Sequence, residues 1–192
     1  IIEVPLWQAR TFFRQKKHTE AVKVLEAVKG KFANNEKLPE LLFDLGNNHY
    51  ELNAFPEASK AFQTLIADHG TFPQMDDAMR LCADSLHREK KYGASHDLCG
   101  EFLSKYPNDK KAGDVAFLQC ENLFLQDKYK EAVDGFKTFA DKYSGHPQAA
   151  AANYRIGSSH YNQKEWMEAL KVLEPLARDE KVRSRFKQID YL

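Results

Sequence analysis

The chain has 192 residues, and its 28 Lys and Arg balance its 28 Asp and Glu, so the formal net charge at pH 7 is zero. A protein that binds nucleic acid or an anionic membrane surface would need a basic excess, and a membrane-spanning helix would need about 20 apolar residues in a row. The apolar runs here are short, as in Leu41–Phe43, and only nine Gly and seven Pro accompany 43% hydrophobic residues. This composition predicts a soluble, helix-rich protein that is neither a nucleic-acid binder nor a membrane protein.

In chain order, apolar residues at spacings of three and four predict helices that come in pairs. Short segments rich in Asn, Gly and Pro separate the pairs, as turns between helices require. The five predicted pairs are Pro5–Gln15 with Thr19–Phe32, Pro39–Leu52 with Pro56–His69, Asp76–Glu89 with Gly93–Tyr106, Gly113–Gln126 with Lys130–Tyr143, and Gln148–Gln163 with Met167–Arg178.

The same pattern of residues recurs every 37 positions through the chain. A small residue in the first helix of each pair occupies positions Ala9, Gly46, Ala83, Cys120 and Gly157. A second small residue follows twelve positions later, at Ala21, Ala58, Ser95, Ala132 and Ala169. An aromatic or imidazole ring stands three positions before the second one, at His18, Phe55, Tyr92, Tyr129 and Trp166. We expect the small residues to let the two helices of a pair approach closely, and the ring to fill the turn between them.

This pattern resembles the tetratricopeptide repeat. The motif is clearest in residues 45–50 (LGNNHY) with 55–58 (FPEA), and in 156–161 (IGSSHY) with 166–169 (WMEA). The resemblance implies an all-α fold, an α-solenoid of five helical hairpins that stack into a right-handed superhelix. The expected units are about 2–38, 39–75, 76–112, 113–149 and 150–186, and 187–192 would begin a truncated repeat or form a cap. We therefore expect the chain to be a fragment of a longer protein.

The repeat length also suggests a narrower relationship. The family usually repeats every 34 residues, and a period of 37 with endings such as Phe102 to Pro107 is similar to a bacterial cell-envelope subgroup. That subgroup includes the Tol-Pal coordinator and the lipoprotein of outer-membrane barrel assembly. This likeness implies a periplasmic location or one at the periphery of the outer membrane, with the cytoplasm as the alternative.

In this family the first helix of each hairpin lines the concave groove, which implies a partner-binding site there. Counted from the first small residue, the outward positions are three before, one after, four after and five after it. In the first helix the last two positions hold Phe13 and Arg14. The predicted groove residues are Leu6, Phe43, Arg80, Phe117 and Tyr154 (three before), Arg10, Asn47, Asp84, Glu121 and Ser158 (one after), and Tyr50, His87, Phe124 and Tyr161 (four after). Many are apolar or aromatic, which suits binding of a protein or peptide partner.

Two alternatives bear on how this groove is interpreted. The position four after the small residue could equally belong to the hairpin core, so the position three before it is the stronger candidate for partner contact. Some members of the family bind a peptide carboxylate through a cationic clamp. Because Phe43 and Phe117 stand where that clamp needs cations, we instead expect a helix or an extended apolar segment in the groove.

The chain offers little for metal or cofactor chemistry. Cys82, Cys99 and Cys120 contain no Cys-X-X-Cys spacing, so we predict no metal site and no cofactor. They are expected to be small buried residues. In an oxidising compartment, Cys99 and Cys120 could instead form a disulfide.

Three functional hypotheses follow. The first is a non-enzymatic adaptor that holds a partner in its groove. The second is a structural subunit of an envelope complex that docks through its ends, with terminal residues such as Phe186 and Tyr191. The third is a hydrolase or lyase that uses Asp84, His87 and Glu121, with Arg88 beside them, for acid-base chemistry. No nucleophile motif, phosphate-binding loop or metal spacing accompanies those residues, so we predict that the chain is not an enzyme.

Overall fold

The structure, a computed structural model, describes residues 3–32 and 34–179. In this part of the chain it contains ten α-helices, one short 3-10 helix at Gly30–Phe32 and no strand. The α-helices are α1 (Glu3–Arg14), α2 (His18–Lys29), α3 (Leu38–Glu51), α4 (Phe55–Asp68), α5 (Met75–Arg88), α6 (Tyr92–Lys105), α7 (Ala112–Leu125), α8 (Tyr129–Lys142), α9 (Ala149–Asn162) and α10 (Trp166–Arg178). The predicted all-α repeat is confirmed, and residues 186–192, which include Phe186 and Tyr191, lie outside the described residues.

Every hairpin turn has the same backbone conformation. One residue per turn adopts a left-handed conformation with φ between 57° and 62°, at positions Lys16, Asn53, Lys90, Asp127 and Lys164. In the second hairpin, the Asn53 amide donates to the Tyr50 carbonyl and the Ala54 amide to the His49 carbonyl. This pair of hydrogen bonds is the Schellman motif that ends many helices. The turns therefore hold the two helices of each hairpin in a fixed, three-residue connection.

An aromatic pair covers each of these turns. The aromatic or imidazole residue that was predicted to fill the turn is the first residue of the second helix in each hairpin. Its ring contacts the residue four positions after the first small residue. The pairs are Phe13–His18, Tyr50–Phe55, His87–Tyr92, Phe124–Tyr129 and Tyr161–Trp166, with ring centroids 5.0 to 5.8 Å apart. These tilted and edge-to-face contacts stabilise the turn beyond the apolar area they bury.

The small residues let the helices approach closely, as predicted. A Cβ atom placed on Gly46 would lie 2.5 Å from the Phe62 ring, and one on Gly157 would lie 2.4 Å from Leu173. Phe62 and Leu173 occupy the same position of their repeats, and both are buried. Each hairpin core is therefore built from a large side chain that fills the space left by a small one.

The tertiary contacts divide the chain into two compact units, residues 1–98 and 99–192, with the boundary inside α6. In the first unit α1 packs on α2, α2 on α3, α3 on α4, and α4 on α5. In the second, α7 packs on α8, α8 on α9, and α9 on α10. Helices α2, α3, α4, α8 and α9 thus each contact their hairpin partner and a helix of the neighbouring hairpin. Among the described residues, no helix is both long and apolar enough to cross a membrane.

Candidate protein-binding surface

The position three before the small residue, predicted to contact partners, mainly packs inside the hairpins. Leu6 is 2% exposed in the core of the first hairpins, and Tyr154 is 9% exposed against Ala169 and Leu173. Phe117 lies with its ring centroid 5.5 Å from both Phe136 and Phe139. The prediction that Leu6 and Tyr154 form a groove surface is wrong, because both side chains are buried. Phe117 is half-buried and packs on the second helix of its own hairpin.

Phe43 and Arg80, which occupy the same position in the second and third repeats, are also half-buried. Phe43 lies 5.3 Å from Phe72 and 6.2 Å from Phe62, measured between ring centroids. Phe43 also lines a surface cavity. Arg80 forms an ion pair with Asp77 at 2.9 Å. Neither residue presents its whole side chain to a partner.

The position one after the small residue forms polar links between successive first helices. In the first unit, Arg10 Nε donates to Asp44 Oδ2 at 2.8 Å, and Arg10 Nη2 donates to Glu40 Oε2 at 2.8 Å. Lys37 Nζ also contacts Glu40, at 2.7 Å. These contacts join α1 to the N-terminal half of α3 and fix the position of Arg10.

Two neighbouring cavities flank the Arg10–Asp44 ion pair. The larger, of about 770 Å³, extends over Glu40 and Phe43 to the link between α4 and α5. The smaller, of about 220 Å³, is lined by Phe13, Arg14, Asn47 and Asn48 in addition to Arg10 and Asp44. We refer to Trp7, Arg10, Phe13, Arg14, Asp44 and Asn47 as the Arg10 surface.

Two large apolar side chains of the Arg10 surface are open to solvent. Trp7 is 63% exposed and Phe13 is 37% exposed. Trp7 stands one helical turn before Arg10, and positions three apart share a helix face. Arg14 is exposed and has no ion pair among the described residues. The surface therefore combines aromatic area with an unpaired cation beside a fixed ion pair.

Burial changes the proton affinity of the carboxylate at the centre of this surface. The pKa of Asp44 is raised to about 6, because burial penalises its charged form more than Arg10 stabilises it. The pKa of Glu40 is lowered, chiefly by its hydrogen bond from Lys37. The two acidic partners of Arg10 thus respond differently to pH.

The second unit repeats the interhelical link with the charges exchanged. Arg155 of α9 donates through Nε to Glu121 Oε2 of α7 at 2.8 Å, and its Nη2 contacts the other carboxylate oxygen. The Arg155 guanidinium also lies 4.6 Å above the Phe124 ring. Glu121 and Phe124 are therefore partners of Arg155. Of the remaining predicted groove residues here, Ser158 is half-buried and Tyr161 is 44% exposed beside Trp166.

The residues of the catalytic hypothesis serve as links of the same kind. Tyr50 Oη donates to Asp84 Oδ2 at 2.5 Å, and Arg88 lies 3.6 Å from the same oxygen. Burial, together with this hydrogen bond, raises the pKa of Tyr50 to about 12. The His87 ring packs on Tyr92, and the Glu121 carboxylate is paired with Arg155. The described residues thus give no support to an acid-base site around Asp84.

The cysteines are placed as small core residues. All three are buried, and Cys120 is a free thiol, so the Cys99–Cys120 disulfide is absent. Burial raises the pKa of Cys82 and of Cys120 to about 12, which keeps both thiols protonated at neutral pH. Within the described residues, no group of three His, Cys, Asp or Glu side chains is arranged to hold a metal ion.

Trp7 and Asp44 of this surface were not among the predicted groove residues. Both belong to the position two before the small residue, which also holds Leu81, Leu118 and Arg155. That position supplies one partner in both the Arg10–Asp44 and the Glu121–Arg155 ion pairs. The signal in the sequence was opposite charges 34 residues apart, at positions that face each other from adjacent repeats.

Comparisons with known proteins agree with this fold. Tetratricopeptide-repeat family models match residues 6–35, 43–110 and 123–179, whereas no curated protein sequence matches the chain. Among solved structures, apo RapI aligns with a TM-score of 0.75 at 12% identity, covering 97% of this chain and 57% of RapI. MamA (residues 41 to the end) from Desulfovibrio magneticus RS-1 aligns with a TM-score of 0.73 at 13% identity, covering 94% and 95% of the two chains.

MamA of strain MSR-1 aligns with a TM-score of 0.69 at 18% identity over 93% of this chain and 94% of that protein. At these identities the structures are evidence for the fold alone. The family models, by contrast, match well over half of the residues and agree with the observed hairpins. The chain belongs to the tetratricopeptide repeat family.

Proposed function

We propose that this chain is a non-enzymatic protein-interaction scaffold that binds a peptide or a helix of another protein on the Arg10 surface, in the concave groove expected for the family. The observation that carries this proposal is the exposure of Trp7 and Phe13 on one helix, on either side of an Arg10 held by two carboxylates. Exposed aromatic side chains contribute much contact area with little loss of conformational entropy, and they are enriched in binding hot spots.

The chemistry of the surface favours a particular kind of partner segment. An apolar side chain of the partner would cover Trp7 or Phe13, and an acidic or carbonyl group would pair with Arg14 or Asn47, which line the smaller cavity with Phe13. Because Arg10 is already paired on both sides, we assign it a positioning role. The partner would therefore be an apolar segment with an acidic or polar group beside it.

The test uses a displayed library of peptides selected on the chain. We expect Trp7→Ala combined with Phe13→Ala to abolish binding of the selected peptides while the helical circular-dichroism signal persists, since neither side chain belongs to the buried core of the first hairpins. The control is Leu52→Ala, which removes a side chain that is 40% exposed at the end of α3. Selected peptides that bind the double variant as well as they bind the parent would refute the proposal.

A second candidate is a structural subunit of a bacterial cell-envelope complex, in the periplasm or at the outer-membrane periphery, that docks through its ends. Its support is Val4, which is 57% exposed, whereas its equivalents in four later repeats are at most 1% exposed: Leu41, Ala78, Val115 and Ala152. In the same peptide assay, loss of binding with Val4→Asp but not with the Trp7 and Phe13 variant would favour this candidate. The period of 37 is the feature that supports the envelope over the cytoplasm.

A further inference from the structure

The larger of the two cavities beside the Arg10–Asp44 ion pair has an aromatic wall. Phe43 of α3 and Phe72 of the link between α4 and α5 both line it, with their ring centroids 5.3 Å apart. Both side chains are only half-buried, so part of each ring is accessible. We call this space, of about 770 Å³, the Phe72 cavity. Accessible aromatic rings attract cations, because the face of the ring carries partial negative charge.

Four carboxylates line the Phe72 cavity, and two of them have no cation of their own. Glu40 and Asp44 are both paired with Arg10, and a lysine contacts Glu40 as well. The other two, Glu36 and Asp68, are exposed and form no ion pair with a described residue. Two negative charges are therefore left over at this cavity, although the chain as a whole is neutral.

Asp68 stands where a carboxylate is electrostatically unfavourable. It is the last residue of α4, and the last turn of this helix contains no basic residue. The carbonyl groups at the end of a helix carry partial negative charge, which favours a cation there and disfavours a carboxylate. The residues that line the cavity after Asp68, at positions 69–74, follow directly on this helix end. The negative end of α4 thus adds to the charge of Asp68.

The fourth repeat shows that the hairpin does not require acidic residues at these positions. The residues equivalent to Glu36 and Asp68 are Lys110 and Lys142. Lys142 lies in the last turn of α8, where its charge suits the helix end. The two unpaired carboxylates are therefore a property of the second repeat and not of the fold.

The fourth repeat also uses the equivalent space for its own packing. Tyr143 and His146 take the places of His69 and Phe72 there. A Cβ atom placed on Gly113 would lie 2.8 Å from the His146 ring and 3.4 Å from the Tyr143 ring. Side chains of the chain itself thus pack closely on α7, whereas the second repeat leaves the Phe72 cavity open.

We propose that the Phe72 cavity binds an arginine side chain of a partner protein, with the guanidinium against Phe43 and Phe72 and paired with Asp68 and Glu36. A guanidinium is planar, stacks on aromatic rings and binds carboxylates with several donors at once. That the arginine belongs to a protein partner rests on the proposed function. The partner segment would then carry an arginine on one side of its apolar residue and an acidic or polar group on the other.

The experiment titrates the whole ¹⁵N-labelled chain with N-acetyl-arginine amide and follows the backbone amide signals of Gly70 and Thr71. We expect saturable shifts with this probe and no saturable shift with N-acetyl-citrulline amide, which has a similar shape without the charge. Glu36→Gln with Asp68→Asn should weaken arginine binding about tenfold, since two ion pairs are lost. Both side chains are exposed, so the far-ultraviolet circular dichroism should not change.

The matched control is Glu51→Gln with Asp97→Asn, which removes the same charge from exposed positions away from the cavity and should bind as the parent does. Equal shifts with the citrulline derivative would overturn the proposal. Unchanged arginine affinity in the Glu36 and Asp68 variant would overturn it as well.

The result can be separated from the test of the proposed function, because neither Trp7 nor Phe13 lines the Phe72 cavity. The variant that lacks both of these side chains should still bind N-acetyl-arginine amide. If the selected peptides require Trp7 and Phe13 but the arginine derivative does not bind, this inference fails and the proposed function stands. If the arginine derivative binds while the peptides do not require Trp7 and Phe13, the cation site is supported and the proposed function fails.

Discussion

At the scale of single residues, the turn positions show how one backbone conformation accepts different side chains. The left-handed residue is Asn53 or Asp127 in two hairpins and Lys16, Lys90 or Lys164 in the other three. Asn and Asp tolerate this conformation, whereas a residue such as Lys has an unfavourable contact between its Cβ atom and the following carbonyl oxygen. The Schellman hydrogen bonds impose the conformation in all five turns. In the three turns with a lysine at this position, the left-handed backbone conformation therefore lowers the stability of the folded state.

That cost predicts a stabilising substitution. Lys90 is exposed and has no ion pair among the described residues, so Lys90→Gly should relieve the conformational cost without removing a contact. We expect the free energy of unfolding, measured with urea, to rise by about 0.5–1 kcal/mol, once the greater entropy of Gly in the unfolded chain is deducted. Asn53→Gly is the control and should change stability little. A lower unfolding midpoint for Lys90→Gly would contradict this account of the turn.

Burial of the Asp44 carboxylate changes the free energy of unfolding by an amount that depends on pH. Its side chain is 14% exposed, and its folded-state pKa of about 6 lies above the ordinary 3.8. The folded state therefore binds the proton more tightly than the unfolded state does. Between these two pKa values, Asp44 is protonated more often in the folded state than in the unfolded state. The contribution of Asp44 to stability therefore falls as the pH rises from 4 to 6.

The pH effect can be isolated with Asp44→Asn, which cannot titrate. We expect the parent to lose up to about 3 kcal/mol of unfolding free energy relative to the variant between pH 4 and pH 7. Urea unfolding of both proteins at several pH values measures this difference. Glu40, whose lowered pKa acts in the opposite direction, is present in both proteins, so it is largely removed by the comparison. A difference that stays constant with pH would show that Asp44 titrates normally.

At the scale of the helices, the pairing of small and large residues sets how closely the two helices of a hairpin pack. Gly46 faces Phe62, and the corresponding positions of the first hairpin hold Ala9 and Leu25, both buried in one cluster. Between these two hairpins, the smaller Leu25 in the second helix accompanies the larger Ala9 in the first. The total side-chain volume at the crossing is limited because the interior is close-packed.

This limit predicts the effect of Gly46→Ala. The added Cβ would meet the Phe62 ring at 2.5 Å, and overpacking of this kind costs about 1–3 kcal/mol. Alanine gains about 1 kcal/mol over glycine in helix propensity, so we expect a moderate net loss of unfolding free energy. The control is Gly100→Ala in α6, where only the end of the flexible Gln119 side chain lies nearby; this change should stabilise or be neutral.

A double-mutant cycle tests whether the Phe62 ring causes this loss of stability. Phe62→Leu alone removes part of a buried ring and should destabilise, but combined with Gly46→Ala it recreates the pairing of Ala9 with Leu25. The double variant should therefore be more stable than the sum of the two single effects, with a favourable coupling of about 0.5–3 kcal/mol for residues in contact. Additive effects would show that the Phe62 ring does not limit the approach of α3 to α4.

At the scale of the whole molecule, charge and packing are distributed hairpin by hairpin. The 28 positive and 28 negative charges leave no net field, and many of them form local pairs within a helix or between adjacent first helices, such as Lys105–Glu101 and Arg10–Asp44. Each of the two units has its own buried side chains. This arrangement explains how 29% charged residues coexist with 43% hydrophobic ones without one large core.

The sequence by itself determined the helices, their pairing and their turns. A spacing of 37 repeated over several columns depends only on local periodicity and on which residues fit a turn or a close crossing, and these properties are carried by neighbours in the chain. The first helices α3, α5 and α7 accordingly begin one residue before the predicted units at 39, 76 and 113. The family follows from the same local signals.

Only the tertiary structure decided which positions of the repeat are exposed to solvent. Leu6 and Tyr154 were predicted at the surface but are buried, while Trp7, one residue after Leu6, is exposed. Val4 is exposed although its equivalents in the four later repeats are buried, and Leu170 is exposed although its equivalents Ser59 and Val133 are buried. The physical reason is that the exposure of a helix residue depends on the helices packed beside it, so the same position has different surroundings in the middle of a stack and at its last described helices.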